Sequence, residues 1–227
     1  MSGGRSQARR DFRYDYGPVA GFYDELANFY SRGRILETKR AHLEHVEPGA
    51  RVLYPGIGRG EEALEAVRAG ARVTGLDVSS SMLRRIQAQL DHEGRTATLV
   101  EIDAADYQPE GAFDLVVANY FLNLFDASRA RTMLARLAGW VAPGGLLVVS
   151  DFARPAGNAF ERGLGELYYR PVNWIAWLLG LCALHPILDY EPMLDAAGFR
   201  IVRSVRKPVT GLRDPAYVSI FVQRVGF

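Results

Sequence analysis

The sequence predicts an α/β fold: a mostly parallel sheet with helices on both faces that ends in an antiparallel hairpin. Three observations carry this reading. Short β-rich runs alternate with helical periods from Arg51 to Phe152, three glycines close the first run in "VLYPGIGRG", and the last two runs succeed one another with no helix between them. Parallel neighbours need a crossover, which the helical periods supply, whereas strands joined by a short loop pair antiparallel.

The elements run in order. Gly21 to His45 mixes aromatics and charges at helical spacing and stops at "EPGA", where Pro48 and Gly49 break a helix. "ARVLYP" reads as a strand, "EEALEAVRAG" as a helix closing on Gly70, and "ARVTGLD" as a second strand. "SSSMLRRIQAQLDHEG" has serine caps and a terminal glycine, so it is a helix. "TATLVEID" and "FDLVVANYF" are strands, "ASRARTMLARLAGWVAPGG" is helical, and "LLVVSDF" is a fifth strand. "FRIVRSVRK" and "AYVSIFVQR", joined by "PVTGLRD", make the closing hairpin.

A chain of 227 residues with 48% hydrophobic and 23% charged composition suits one soluble domain spanning residues 1–227. With 27 basic against 26 acidic side chains, no global field draws it to nucleic acid or anionic lipid. Cys182 is the only cysteine, which excludes an intrachain disulfide and fits a reducing cytoplasm. Residues 1–20 read as a flexible basic arm with no hydrophobic leader. The apolar "WIAWLLGLCAL" is too short to span a bilayer, which takes about 20 residues, though it leaves room for peripheral membrane contact.

In an open parallel sheet, ligands bind beyond the carboxyl ends of the strands. Gly56, Gly58 and Gly60 stand there, where bare backbone permits close approach. Asp77 ends the second strand about 20 residues on, the spacing at which an acid accepts from ribose hydroxyls. Glu61 occupies the place of the last glycine in a dinucleotide fingerprint and opposes a pyrophosphate; the lysine of a P-loop is also missing. A cationic nucleoside without phosphate, such as S-adenosylmethionine, fits better.

On "VLYPGIGRG", "VTGLDVSSSML", "VEIDAADY" and "FDLVVANYFLNLF" followed by "APGGLLVVSDF", the chain resembles the class I S-adenosylmethionine-dependent methyltransferases over roughly Tyr23 to Phe227. The resemblance implies a Rossmann-like sheet of seven strands with the last reversed. It implies S-adenosyl-L-methionine as cofactor, with Gly56, Gly58 and Gly60 around its methionine part and Asp77 on its ribose. Val78 and Met82 then flank the adenine, Asp103 and Ala104 its edge, and Asn119 the sulfonium. The family's acid at position 54 is replaced by Tyr54. Either that ring packs on the sheet, or its hydroxyl replaces the carboxylate and Glu61, Glu62 or Asp24 supplies the charge.

The acceptor is bounded less closely. A methyl on sulfonium is already activated, so the enzyme aligns acceptor and donor and excludes water, and it needs a base only where the acceptor must lose a proton. Candidates are Tyr120, Asp151 and His185, with Asn119 and Tyr23 nearby on the cofactor side. "NYFL" lacks the proline pair of enzymes that grip a flipped base, which disfavours nucleic acid, and Asp151 has no acidic partner in sequence for a metal. Residues 152–198 form an insertion before the hairpin, rich in tryptophan and tyrosine. It resembles the pocket cover of small-molecule, quinone and lipid methyltransferases, and with Phe121, Tyr168, Trp174, Trp177 and His185 it favours an apolar or aromatic small-molecule acceptor. Two other readings stand beside methyl transfer: amino transfer to a quinone, as in rhodoquinone-forming proteins, and a binding module without turnover.

Overall fold

The computed structural model describes residues 31–154, 157–178, 187–209 and 216–224. Seven strands among them form one sheet in the order β3-β2-β1-β4-β5-β7-β6. The first five, β1 (Arg51–Tyr54), β2 (Arg72–Asp77), β3 (Thr98–Glu101), β4 (Phe113–Asn119) and β5 (Val141–Phe152), pair in parallel. β6 (Phe199–Pro208) and β7 (Ala216–Arg224) make the expected hairpin, and β7 inserts antiparallel between β5 and β6. This is the Rossmann-like fold that the sequence led us to expect.

Helices connect β1 to β2, β2 to β3 and β4 to β5, whereas a stretch of turns leads from β3 to β4. After α1 (Arg34–Arg40) and a 3-10 turn at Ala41–His45 come α2 (Glu61–Arg68), α3 (Ser80–His92) and α4 (Ala127–Trp140). Ser79 caps α3 by accepting from the Met82 amide, and Asp126 caps α4 by accepting from Ser128 and Arg129. Each cap satisfies amides that the first helical turn leaves without carbonyl partners. One boundary differs from the sequence reading: "VAPGG" belongs to β5, not to the helix before it. A side chain at Gly145 would sit 2.8 Å from the Asp114 carbonyl, so close backbone approach to β4 selects glycine there, beside a register shift between Phe113 and Leu115.

Strand alternation divides the core. Val52, Tyr54, Leu115 and Val148 face one layer with α2 and α3; Leu53, Val116, Leu147 and Val149 face the other with α4 and α6 (Tyr190–Ala196). Between β5 and β6 lies the insertion, with the 20-residue α5 (Ala159–Leu178) followed by α6. Among the described residues, no helix is long and apolar enough to cross a membrane. The N-terminal arm expected over residues 1–20 lies outside the described residues.

Candidate functional site

The carboxyl ends of β1 to β5 meet where the strand order reverses between β1 and β4. β1 turns into α2 through Gly58 and Gly60, whose φ angles of +53° and +67° lie in the left-handed region that favours glycine. Asp77 fastens this turn to β2: one carboxylate oxygen accepts from the Gly58 amide at 2.8 Å and the other from the Ser79 amide at 2.9 Å. Each oxygen keeps a further lone pair for a hydroxyl. Beside it Val78 is 51% exposed, an apolar side chain left uncovered at a strand end, while Met82 is buried at the start of α3. Asp103 turns the chain after β3 by accepting from Ala105 at 2.8 Å, with Ala104 buried behind it. These residues form one ledge.

Gly56 has another role. A Cβ there would lie 2.6 Å from the Phe121 ring, so the missing side chain lets that ring close onto the turn. Phe121, expected in the acceptor pocket, is instead a core residue, edge-on to Phe125 at 5.2 Å. It wedges the turn against the 3-10 segment Leu122–Leu124.

Tyr54 resolves toward packing. Its ring is buried among Val52, Ile57 and Ala63, and its hydroxyl lies 2.7 Å from His42 Nε2 and 3.5 Å from the Glu62 carbonyl. Burial and the nearby Glu62 carboxylate push the phenol well above its usual range, so it stays neutral. Of the two readings of Tyr54, packing on the sheet is the one these contacts match, since the hydroxyl is engaged by the imidazole. His42 is itself lowered to about 4 by burial and is neutral. The buried acid is Glu62, whose carboxylate accepts from Asn119 Nδ2 at 3.2 Å; that amide also donates to the Lys39 carbonyl at 2.9 Å. Asn119 Oδ1 is buried without a partner, an acceptor that a donor-bearing ligand can satisfy.

After Asn119 the backbone is strained: Tyr120 has φ +50°, rare for a residue with a Cβ. Thr38 directs its hydroxyl proton to the carbonyls of Arg34 and Ile35 at 3.0 Å each, so its oxygen accepts from the Tyr120 hydroxyl at 2.7 Å. Burial pushes the Tyr120 phenol well above its usual range, which makes it a donor and not a base. The ring stands edge-on to Phe152 at 5.9 Å and near Tyr217 at 6.3 Å. Tyr168, on α5, reaches the Tyr217 hydroxyl at 3.5 Å, and Tyr169 bonds the amide and carbonyl of Ala216. These contacts hold α5 against the ends of β5 and β7.

Asp151, a candidate base, is 1% exposed, and each of its oxygens accepts a bond, one from the Tyr190 hydroxyl and one from the Phe152 amide at 2.7 Å. It ties α6 to the sheet, and that bond covers the carboxylate on the α6 side. Trp174 is corrected too. With Phe160 and Leu167 it forms an exposed stripe at seven-residue spacing, about half a helical turn from Tyr169, the side that seats on the strands. Tyr23 and His185 lie outside the described residues, as does the side chain of Trp177. Sequence reasoning missed His42, Thr38 and Lys39 altogether, because nothing local links α1 to the end of β4; Glu62 was legible only as one of three acids.

A glycine turn after the first strand, an acid at the end of the next and a reversed β7 are the marks of a nucleoside-binding Rossmann-like class. Comparison narrows the class. The sequence model of a family described as "Methyltransferase domain" matches residues 52–145. A demethylmenaquinone methyltransferase of Thermus thermophilus is 33% identical over 170 residues, 72% of this chain and 76% of that protein. A ribosomal protein L11 methyltransferase of Ralstonia pickettii is 38% identical over 110 residues, but this chain spans only 34% of its length. Among solved structures, magnesium protoporphyrin IX methyltransferase of Synechocystis PCC 6803 with bound S-adenosylhomocysteine has a TM-score of 0.59 at 22% identity, covering 98% of this chain and 90% of that one. The chain belongs to the class I S-adenosylmethionine-dependent methyltransferases, and S-adenosylmethionine is its cofactor.

Proposed function

We propose that this methyltransferase acts on a small, lipophilic or aromatic acceptor. The observation that carries the reading is the seating of α5 across the ends of β5 and β7 through Tyr168 and Tyr169, beside the rings of Tyr120, Phe152 and Tyr217. That wall is aromatic, and burial keeps the Tyr120, Tyr168 and Tyr217 phenols neutral, so it suits flat apolar molecules better than charged polymers. The relative that acts on a demethylmenaquinone supports the same acceptor class.

The residues fit the cofactor. Gly58 and Gly60 cradle its methionine part, Asp77 accepts from the ribose hydroxyls, and Val78 and Met82 cover the adenine with Asp103 and Ala104 at its edge. Glu62 and the unpartnered Asn119 Oδ1 receive the methionine ammonium, so the acid lost from position 54 reappears in the first turn of α2. The bound cofactor supplies an electrophilic methyl group on a sulfonium. The chain's own part is to align the acceptor beside Tyr120 and keep water out.

The test is product analysis with a panel of hydroxylated aromatics and quinones against a ribosomal protein extract. Formation of S-adenosylhomocysteine and a product heavier by one methyl in the small-molecule panel is expected. Methylation confined to protein sinks the reading.

A further inference from the structure

The ammonium of Lys39 lies 6.0 Å from the centre of the Tyr120 ring, over its face. The backbone that carries it is held from two sides. The Lys39 carbonyl accepts from Asn119, and its neighbour Thr38 accepts from the Tyr120 hydroxyl, so α1 is pinned to the end of β4. The other charges of α1 are paired: Arg34 with Glu37 at 2.6 Å, Arg40 with Glu65 at 2.5 Å, and Glu37 also with Lys207 at 3.1 Å. Among the described residues, no acid pairs with Lys39 and no acceptor takes its protons. A half-buried cation facing only a π surface is a group with capacity left for an anion.

The electrostatics of methyl transfer make this position informative. With Glu62 taken up by the methionine ammonium, a sulfonium next to Asn119 is opposed by the Lys39 cation unless a further negative charge comes between them. The described residues hold no evident base for a neutral hydroxyl: the Tyr120, Tyr168, Tyr190 and Tyr217 phenols are neutral, His42 is buried against Tyr54, and Asp151 is closed under Tyr190. We propose that Lys39 pairs with an oxyanion of the acceptor, so that the acceptor is an acidic hydroxyl compound, a phenol or an enol, methylated on oxygen.

The proton leaves the acceptor hydroxyl for solvent as the anion binds. The oxyanion then attacks the methyl carbon: an O–C bond forms, the C–S bond breaks, and anion and sulfonium both end neutral. Lys39 stays protonated throughout. An amine acceptor gains nothing from such a neighbour.

The inference rests on the aromatic-acceptor reading, and two probes separate them. 4-Nitro-1-naphthol is coloured as its anion, and 1-nitronaphthalene is its counterpart without a hydroxyl. Binding of each is measured in the presence of S-adenosylhomocysteine. The wild type is expected to bind the naphthol at least tenfold more tightly than nitronaphthalene and to raise the coloured fraction at fixed pH. Lys39→Met should abolish that discrimination while keeping its affinity for nitronaphthalene and S-adenosylhomocysteine, and Lys39→Arg should restore part of it. A wild type that does not discriminate, absence of naphthol binding included, or a Lys39→Met protein that still does, overturns the proposal. Failure of nitronaphthalene alone to bind counts against the aromatic pocket instead.

Discussion

Replacing Glu62 by glutamine removes one charge and leaves size and hydrogen-bonding reach nearly unchanged. In the folded chain this carboxylate is buried and already accepts from Asn119 Nδ2 at 3.2 Å, a bond that glutamine can keep through its carbonyl oxygen. What glutamine cannot keep is attraction for an ammonium. Two unit charges about 4 Å apart at an effective dielectric near 20 interact by about 4 kcal/mol, and desolvating the ammonium takes back part of that. A charge-assisted bond then contributes about 1.5 to 3 kcal/mol, which is about 10- to 150-fold in affinity. Calorimetric titration with S-adenosylmethionine should show that loss for Glu62→Gln. Tyr54→Phe, whose hydroxyl faces His42, should bind within about twofold of wild type while losing about 1 kcal/mol of stability. The opposite ranking, with Tyr54→Phe weakened and Glu62→Gln intact, would refute the relocation of the acid from β1 to α2.

The same geometry sets three further outcomes. Asp77→Ala should weaken S-adenosylmethionine binding at least tenfold, about 1.5 kcal/mol, in the same titration, and unchanged affinity would remove Asp77 from the ribose site. His42 is lowered by burial from its ordinary 6.5 to about 4, so the unfolded chain takes up a proton that the folded one refuses. Its contribution is present above pH 6.5 and is lost as pH falls toward 4, about 3 kcal/mol in all, and urea unfolding of wild type against His42→Gln should show that slope only in the wild type. Asp151→Asn should lower stability, because Asp151 and Tyr190 are both buried, yet keep kcat/KM for the acceptor within about threefold once folded fraction is matched; a loss of about 100-fold or more would restore Asp151 as a general base.

How far the sequence carried depends on the range of each interaction. The alternation of strands and helices, the glycine turn and the closing hairpin are written in local periodicity, and all three stand in the fold. The "VAPGG" segment misled because proline and glycine signal a break without specifying the element beyond it, and here β4 lies close enough to draw those residues into β5. Composition marked Trp174 as a candidate for the acceptor pocket but could not say which side of α5 meets the sheet. Tyr169 decides that, through hydrogen bonds to Ala216, 47 residues away in the chain.

The same limit separates the candidate donor residues, which local spacing suggests, from the contacts proposed for the acceptor, which it does not. A nucleoside is met by backbone freedom and by acids at strand ends, features that recur at fixed spacing within about 50 residues of one another, from Gly56 to Ala104. The wall proposed for the acceptor is made of side chains that distant segments bring together: Lys39 and Thr38 from α1, Tyr120 after β4, Tyr168 from α5 and Tyr217 from β7. Thr38 shows how far this reaches, since its carbonyl accepts from Ser150 at 3.1 Å and Ser219 at 3.0 Å while its side chain holds Tyr120. One residue of α1 therefore sets the backbone of the helix that carries Lys39 against three strands at once. No periodicity records such a junction, and the placing of Lys39 over the Tyr120 ring depends on it.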